Sequence, residues 1–282
     1  IVFGDWSSDV CSSDLKGDIV AGVSPSGKIY RVTGAGQASL LNETKSSYIW
    51  ALAYDKSGTL YAATGEPGQI LAINAAGQSR VVLDAGEAHV RSLAIDATGN
   101  AVAGTEPAGT VIRVNSKGEA FLLLQTSKRE VTSVAAGPGG VVYVAASGTR
   151  AATAAPVTPV AIPRPAGTPA TPAPQTSEQQ PGQAAQPQPQ RVSTPVALPG
   201  ASMTGGSEIY RIEADDEPKQ LWSSTREIVY ALAVDAKGTL HAATGNEGRV
   251  YRIDSADENT RIADLEAPQA TALAVMANGA IL

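Results

Sequence analysis

Positions that lie 41 residues apart along this chain carry side chains of different chemistry. Steps of this length join Tyr48 to His89 and His89 to Glu130. Aromatic, cationic, anionic and amide groups that replace one another at equivalent positions are typical of a ligand-binding surface, because packing alone favours repetition; ordinary solvation of a rim is the alternative. The residues at these positions, or two residues after them, are Tyr48, Trp50, His89, Arg91, Glu130, Thr132, Ile228, Tyr230, Gln269 and Thr271.

An internal repeat carries these residues. The segment 51–55 (ALAYD) matches 92–96 (SLAID) after 41 residues, and 231–235 (ALAVD) matches 272–276 (ALAVM) at the same spacing. Turn glycines keep step with it, including Gly58, Gly99 and Gly238. A fixed period of this length is typical of solenoids, propellers and other repeat arrays.

Each repeat predicts four short strands. In residues 49–86 an apolar run, a turn at Gly58, a second apolar run, a Gly-Pro turn and two further strand segments follow one another. Four strands per 41 residues predict an all-β fold, a β-propeller of four-stranded blades. Complete blades are expected near 49–87, 90–128 and 229–267, and an interrupted one over 131–226.

The chain is expected to be incomplete at both ends. It begins at the second strand of one blade (17–47) and stops just inside a sixth unit, which leaves about five blades' worth of strands. Propellers close with about four to eight blades, so a full-length ring of six to eight blades, or a longer tandem array, is expected.

Residues 231–254 resemble an NHL-type blade, with YVTN, WD-repeat and gluconolactonase-like propellers as wider relatives. The carrying motifs are ALAVDAKGTL at 231–240 and VYRID at 250–254. The resemblance covers nearly all of 17–282 outside one insertion, and it implies a bacterial blade repeat rather than an activity.

Two propeller enzymes are the catalytic alternatives that the resemblance implies. A gluconolactonase-like site needs oxygen ligands converging on Ca²⁺ or Mg²⁺, and Glu130 is the one candidate carboxylate. A streptogramin-lyase-like site needs a catalytic histidine beside a metal-holding acid. His89 is suitably placed for it, whereas His241 occupies the strand position of Tyr61 and Tyr143 and is interpreted as a packed residue. We therefore predict no catalytic residue, metal or cofactor.

Two segments fall outside the repeat. Residues 1–15 resemble a translated sequencing adapter and are predicted to be non-native, including the single cysteine, Cys11. Residues 149–205 form an insertion rich in Ala, Pro, Gln and Thr that is predicted to be disordered, because it has too little apolar area to offset its chain entropy. Propeller blades are predicted over 16–148 and 206–282.

Composition narrows the classes of partner. The net charge of −6 and the scattered basic residues argue against nucleic acid. No apolar run approaches the roughly 20 residues of a membrane helix. With the start of the natural chain expected upstream, the compartment is open, and a periplasmic or extracellular location is favoured over a cytoplasmic one. The predicted function is a non-catalytic binding or scaffolding propeller for a protein or small ligand, acting through the face that carries the strand entrances and the insertion.

Overall fold

The described part of the chain is built from short antiparallel strands. The computed structural model describes residues 10–13, 18–149, 205–213, 217–276 and 278–282. Within these ranges there is no α-helix, and one 3-10 turn covers Pro138–Gly140. The strands are β1 (Val10–Ser13), β2 (Ile19–Val23), β3 (Lys28–Val32), β4 (Ala38–Glu43), β5 (Tyr48–Tyr54), β6 (Leu60–Gly65), β7 (Gln69–Ile73), β8 (Ser79–Asp84), β9 (His89–Ile95), β10 (Ala101–Glu106), β11 (Thr110–Val114), β12 (Ala120–Gln125), β13 (Lys128–Ala136), β14 (Val142–Thr149), β15 (Ser207–Ile212), β16 (Lys219–Ser224), β17 (Ile228–Val234), β18 (Leu240–Gly245), β19 (Arg249–Ile253) and β20 (Asn259–Asp264).

The strands group into five sequential four-stranded units, β1–β4, β5–β8, β9–β12, β13–β16 and β17–β20, and each strand pairs with the next one in its unit. The second and third units are joined into one sheet by pairing of Gly65 with His89. The first strands of successive units contact one another in chain order. This arrangement confirms the predicted all-β propeller fold, and the last four units lie near the ranges expected for the complete and interrupted blades.

The first unit differs from the expectation of a missing first strand. Val10–Ser13 pairs with β2 through backbone hydrogen bonds and completes four strands. Backbone pairing at an open sheet edge does not depend on a repeat-like sequence, so a segment outside the repeat can take this position. The pairing carries no information on the origin of residues 1–15, whose non-native origin stays a prediction.

The hairpin turns between the first and second strands follow the aspartates of the repeat. Asp55 Oδ1 accepts hydrogen bonds from the backbone N–H groups of Ser57 (2.9 Å) and Thr59 (2.8 Å). Asp96 and Asp235 make the same pair of bonds two and four residues on. These carboxylates therefore fix the turns between the first and second strands.

The core lies on both faces of the second strand in the last four units. All six residues of β6 and all six of β18 are buried. Between the first and second units Val20, Ile29, Ile49 and Leu60 are at most 1% exposed. Stacking one sheet against the next buries these aliphatic side chains, and this fixes the first strands that carry the predicted site residues.

No helix within the described ranges has the length and apolar character needed to cross a membrane. The insertion predicted over 149–205 lies outside the described residues, apart from its two ends, Thr149 and Gly205.

Candidate functional site

Three aromatic side chains meet where β5 and β9 begin. The rings of Tyr48 and Trp50 are stacked, with centroids 5.1 Å apart and an interplanar angle of 13°. The His89 ring lies edge-on to both, 5.9 Å from Tyr48 and 5.5 Å from Trp50. The Trp50 indole N–H donates a hydrogen bond to His89 Nδ1 at 3.2 Å. His89 is therefore held in a cluster of three aromatic side chains.

Arg91 extends the aromatic cluster into the next blade. Its guanidinium carbon lies 3.7 Å from the centroid of the Trp50 ring, within the range of a cation–π contact. Its Nε donates to Glu130 Oε1 at 2.7 Å and lies 3.5 Å from Glu106 Oε2. Tyr48, Trp50, His89, Arg91 and Glu130 thus form one connected surface across three blades, called the entrance row below.

The carboxylates beside Arg91 are shielded and paired. The side chains of Glu130 and Glu106 are 8% and 16% exposed, against 56% for Arg129, which pairs with Glu106 at 2.9 Å. Two acidic and two basic groups balance in this cluster. Glu130 is consequently committed to an arginine, a state that differs from the cation ligand considered from the sequence.

Glycines on the second strands make room for the aromatic rings. Gly65, which pairs with Tyr48, lies beneath the contact between Trp50 and His89; a Cβ there would meet His89 Nδ1 at 2.2 Å and Trp50 Nε1 at 2.3 Å. Gly245 lies in the same way under Tyr230, with 2.2 Å from a Cβ to Cε2 of that ring. Small residues here let the rings pack flat against the backbone.

The remaining predicted residues lie on the same side of the fold with different roles. Thr132 donates to the Val229 carbonyl at 2.6 Å and so links two blades. Ile228 is buried, Thr271 is exposed, and Gln269 is exposed and pairs with Gly245 as an isolated bridge. Of these four residues, Gln269 and Thr271 remain accessible to a ligand.

Two groups of the site have shifted titration. Burial lowers the pKa of His89, against the opposing influence of Glu106. Because the Trp50 N–H occupies Nδ1, the neutral ring carries its proton on Nε2. Burial, and secondly the charge of Glu130, raises the pKa of Tyr230, which keeps this phenol protonated as a donor.

Three residues of the site, namely Glu106, Arg129 and Gly65, were not identified from the sequence. Glu106 stands at the strand position that Gly65 and Gly245 hold in other blades, since each pairs with the first residue of the preceding strand. That break in the repeat was the available signal.

His241 is buried with Nε2 3.7 Å from Asp235 Oδ2, which agrees with a packed strand residue. No group of three His, Cys, Asp or Glu side chains in the described ranges is arranged to hold a metal ion.

Comparison with known proteins identifies the fold but no family. No family model and no curated protein matches the sequence. Among solved structures, virginiamycin B lyase from Staphylococcus aureus is similar with a TM-score of 0.62 at 11% identity, over 92% of this chain and 70% of the lyase. A chain of a nidogen–laminin complex gives 0.60 at 12% identity, over 91% and 79%. A proposed gluconolactonase gives 0.55 at 12% identity, over 98% and 87%. The shared property is the propeller fold.

Proposed function

We propose that this propeller is a non-catalytic binding module and that the entrance row is its ligand surface. The observation that carries the proposal is that unlike side chains from three blades join into one continuous surface, although the blades themselves repeat. The NHL-type character of the blades is part of the same proposal, since a repeated backbone can present different side chains at equivalent positions.

The groups that face a ligand are donors and apolar rings. Among the described residues, no hydrogen-bond partner is present for His89 Nε2 or for the hydroxyls of Tyr48 and Tyr230. Each is partly buried beside an aromatic ring or a blade edge. A protein segment or small molecule that presents carbonyl or other acceptor groups beside an apolar surface matches this chemistry.

Charge pairing argues for binding over metal-dependent catalysis. A hydrolase or lyase of the gluconolactonase or streptogramin-lyase type requires free carboxylates around a divalent cation. Here Arg91 neutralises Glu130 at 2.7 Å and contacts Glu106 at 3.5 Å. A cation at this place would have to displace the guanidinium from both acids and from the Trp50 ring.

The test compares capture of partners by matched variants. Immobilised wild-type chain, Trp50→Ala, and Phe121→Ala are exposed to the same bacterial lysate, which supplies both proteins and small molecules. Phe121 is a suitable control because it is 60% exposed on β12, the outermost strand of its blade. Specific partners should be lost with Trp50→Ala and retained with Phe121→Ala. Equal capture by all three proteins would refute the assignment of this face.

The enzymatic alternative is tested in a separate experiment. Ca²⁺ and Mg²⁺ are titrated against wild type and Glu130→Gln in a thermal-shift assay, and lactone hydrolysis is followed in parallel. The binding proposal predicts no cation-dependent stabilisation and no turnover. Strong stabilisation that Glu130→Gln abolishes, together with hydrolysis, would replace it with the hydrolase.

A further inference from the structure

A second polar cleft lies at the opposite end of the strands from the entrance row. It has a volume of about 680 Å³ between the second and third blades, and it is lined by the turns that follow β5, β7 and β9. The entrance row lies where β5 and β9 begin, so the seven residues of either strand separate the two places. The cleft is therefore independent of the proposed ligand surface.

An unpartnered phenol reaches into this cleft. Tyr61 lines it, and although the residue as a whole is only 2% exposed, its hydroxyl opens on the cleft and makes no hydrogen bond to a described residue. A ligand in the cleft can therefore accept a hydrogen bond from this hydroxyl. Burial, and secondly the charge of Asp55, raises the pKa of Tyr61, so the hydroxyl is a protonated donor at neutral pH.

Two basic side chains line the same cleft. Lys56 Nζ donates to the Ala97 carbonyl at 3.2 Å, and Arg80 Nη2 donates to the Ser116 carbonyl at 2.8 Å. Each bond holds its side chain across the gap between the two blades and leaves further N–H groups free. The one acidic residue of the lining, Asp55, has Oδ1 engaged by its own turn. With two basic groups against one carboxylate, the lining of the cleft carries a net charge of +1.

The equivalent phenol between later blades is satisfied by protein. Tyr143 occupies the position of Tyr61 in its blade, and its hydroxyl donates to the Gly238 carbonyl of the following blade at 3.5 Å. The residue equivalent to Gly238 beside Tyr61 is Gly99, which lines the cleft without bonding to the phenol. The same residue type thus closes one junction and leaves the other open.

We propose that the cleft between the second and third blades binds a small oxyanion, a carboxylate or phosphate compound, through Tyr61, Arg80 and Lys56. The anion accepts hydrogen bonds from the phenol and the guanidinium, and the ammonium supplies a second positive charge at the mouth. Charge-assisted bonds of this kind are the stronger class of hydrogen bond.

The probes are inorganic phosphate and citrate, titrated calorimetrically into the full chain at constant ionic strength set with chloride. Wild type should bind at least one of the two. Tyr61→Phe keeps the buried ring and removes the donor, so binding should weaken about tenfold, the loss expected for one hydrogen bond to a charged acceptor. Preference for phosphate or for citrate identifies which oxyanion the cleft takes.

Tyr143→Phe is the matched control because it removes a phenol that is already satisfied, and it should leave anion affinity unchanged. Arg80→Gln, at an exposed residue of β8, should weaken binding as well, and it tests the proposal should Tyr61→Phe fail to fold. Absence of binding of both anions at 20 mM, or equal weakening by the Tyr61 and Tyr143 variants, would overturn the proposal. Neither result would bear on the entrance row.

Discussion

Gly65→Ala should damage the entrance row from below. The added Cβ would lie 2.2 Å from His89 Nδ1 and 2.3 Å from Trp50 Nε1, the two atoms joined by the 3.2 Å hydrogen bond. Carbon and nitrogen atoms need about 3.5 Å, so the rings must move by about 1 Å and the bond must break. Trp50 then also loses its fixed position under Arg91.

These contacts set the expected loss in the free energy of unfolding. Overpacking of a tight site costs about 1–3 kcal/mol, and the lost hydrogen bond adds about 1 kcal/mol. Replacing glycine within a strand returns about 0.5–1 kcal/mol of chain entropy. The free energy of unfolding should fall by about 2 kcal/mol, which corresponds to a decrease in Tm of about 4–8 °C for a folded region of this size.

Urea unfolding followed by far-UV circular dichroism measures the loss. Gly34→Ala is the control, since a Cβ at Gly34 meets nothing within 4 Å. In the Trp50→Ala background the Gly65→Ala cost should shrink, because one of the two clashing rings is gone. Equal stability of the Gly65 and Gly34 variants, within about 0.5 kcal/mol, would refute this account of the packing.

Three further predictions concern charge. Since the pKa of His89 is lowered by folding, its stabilising contribution is present above about pH 6.5 and is lost as the pH falls. Acidification should therefore quench the fluorescence of Trp50, which contacts His89. A Trp50→Phe variant should lack this change. Arg91→Ala leaves the buried Glu130 carboxylate unpaired and should lower the free energy of unfolding in urea by about 3 kcal/mol. Arg129→Ala, at an exposed side chain, should cost below about 1 kcal/mol. Similar costs for the two variants would contradict the roles assigned to them. The pKa of Asp96 is lowered on balance, because its hydrogen bonds outweigh the effect of burial, so the wild type should lose stability below about pH 4 and Asp96→Asn should flatten that part of the profile.

The fold could be predicted from the sequence because the repeat sets both the positions of the turns and the positions of the buried apolar residues. The period predicted the turns at Gly58, Gly99 and Gly238, and apolar runs predicted the strands on which Ile49 and Leu60 are buried. It could not predict Val10–Ser13 as a strand, since that segment has no repeat pattern and pairs through backbone groups alone.

The sequence predicted which residues belong to the candidate site, but not how their side chains contact one another. Counting from strand entrances found Trp50, His89, Arg91 and Glu130, because register places equivalent residues on one side of the fold. That these side chains bond to one another depends on rotamers and on the distance between neighbouring blades, which a period does not contain. Glu106 was overlooked because it ends a second strand rather than beginning a first one.

The central claim is that ligands contact the entrance row. The most direct measurement is amide hydrogen exchange of the chain with and without a captured partner. Our account predicts slowed exchange at residues 48–50, 89–91 and 130–132, with no change at the turns 55–59 and 96–99. Protection confined to those turns, or to the outer strands, would contradict it.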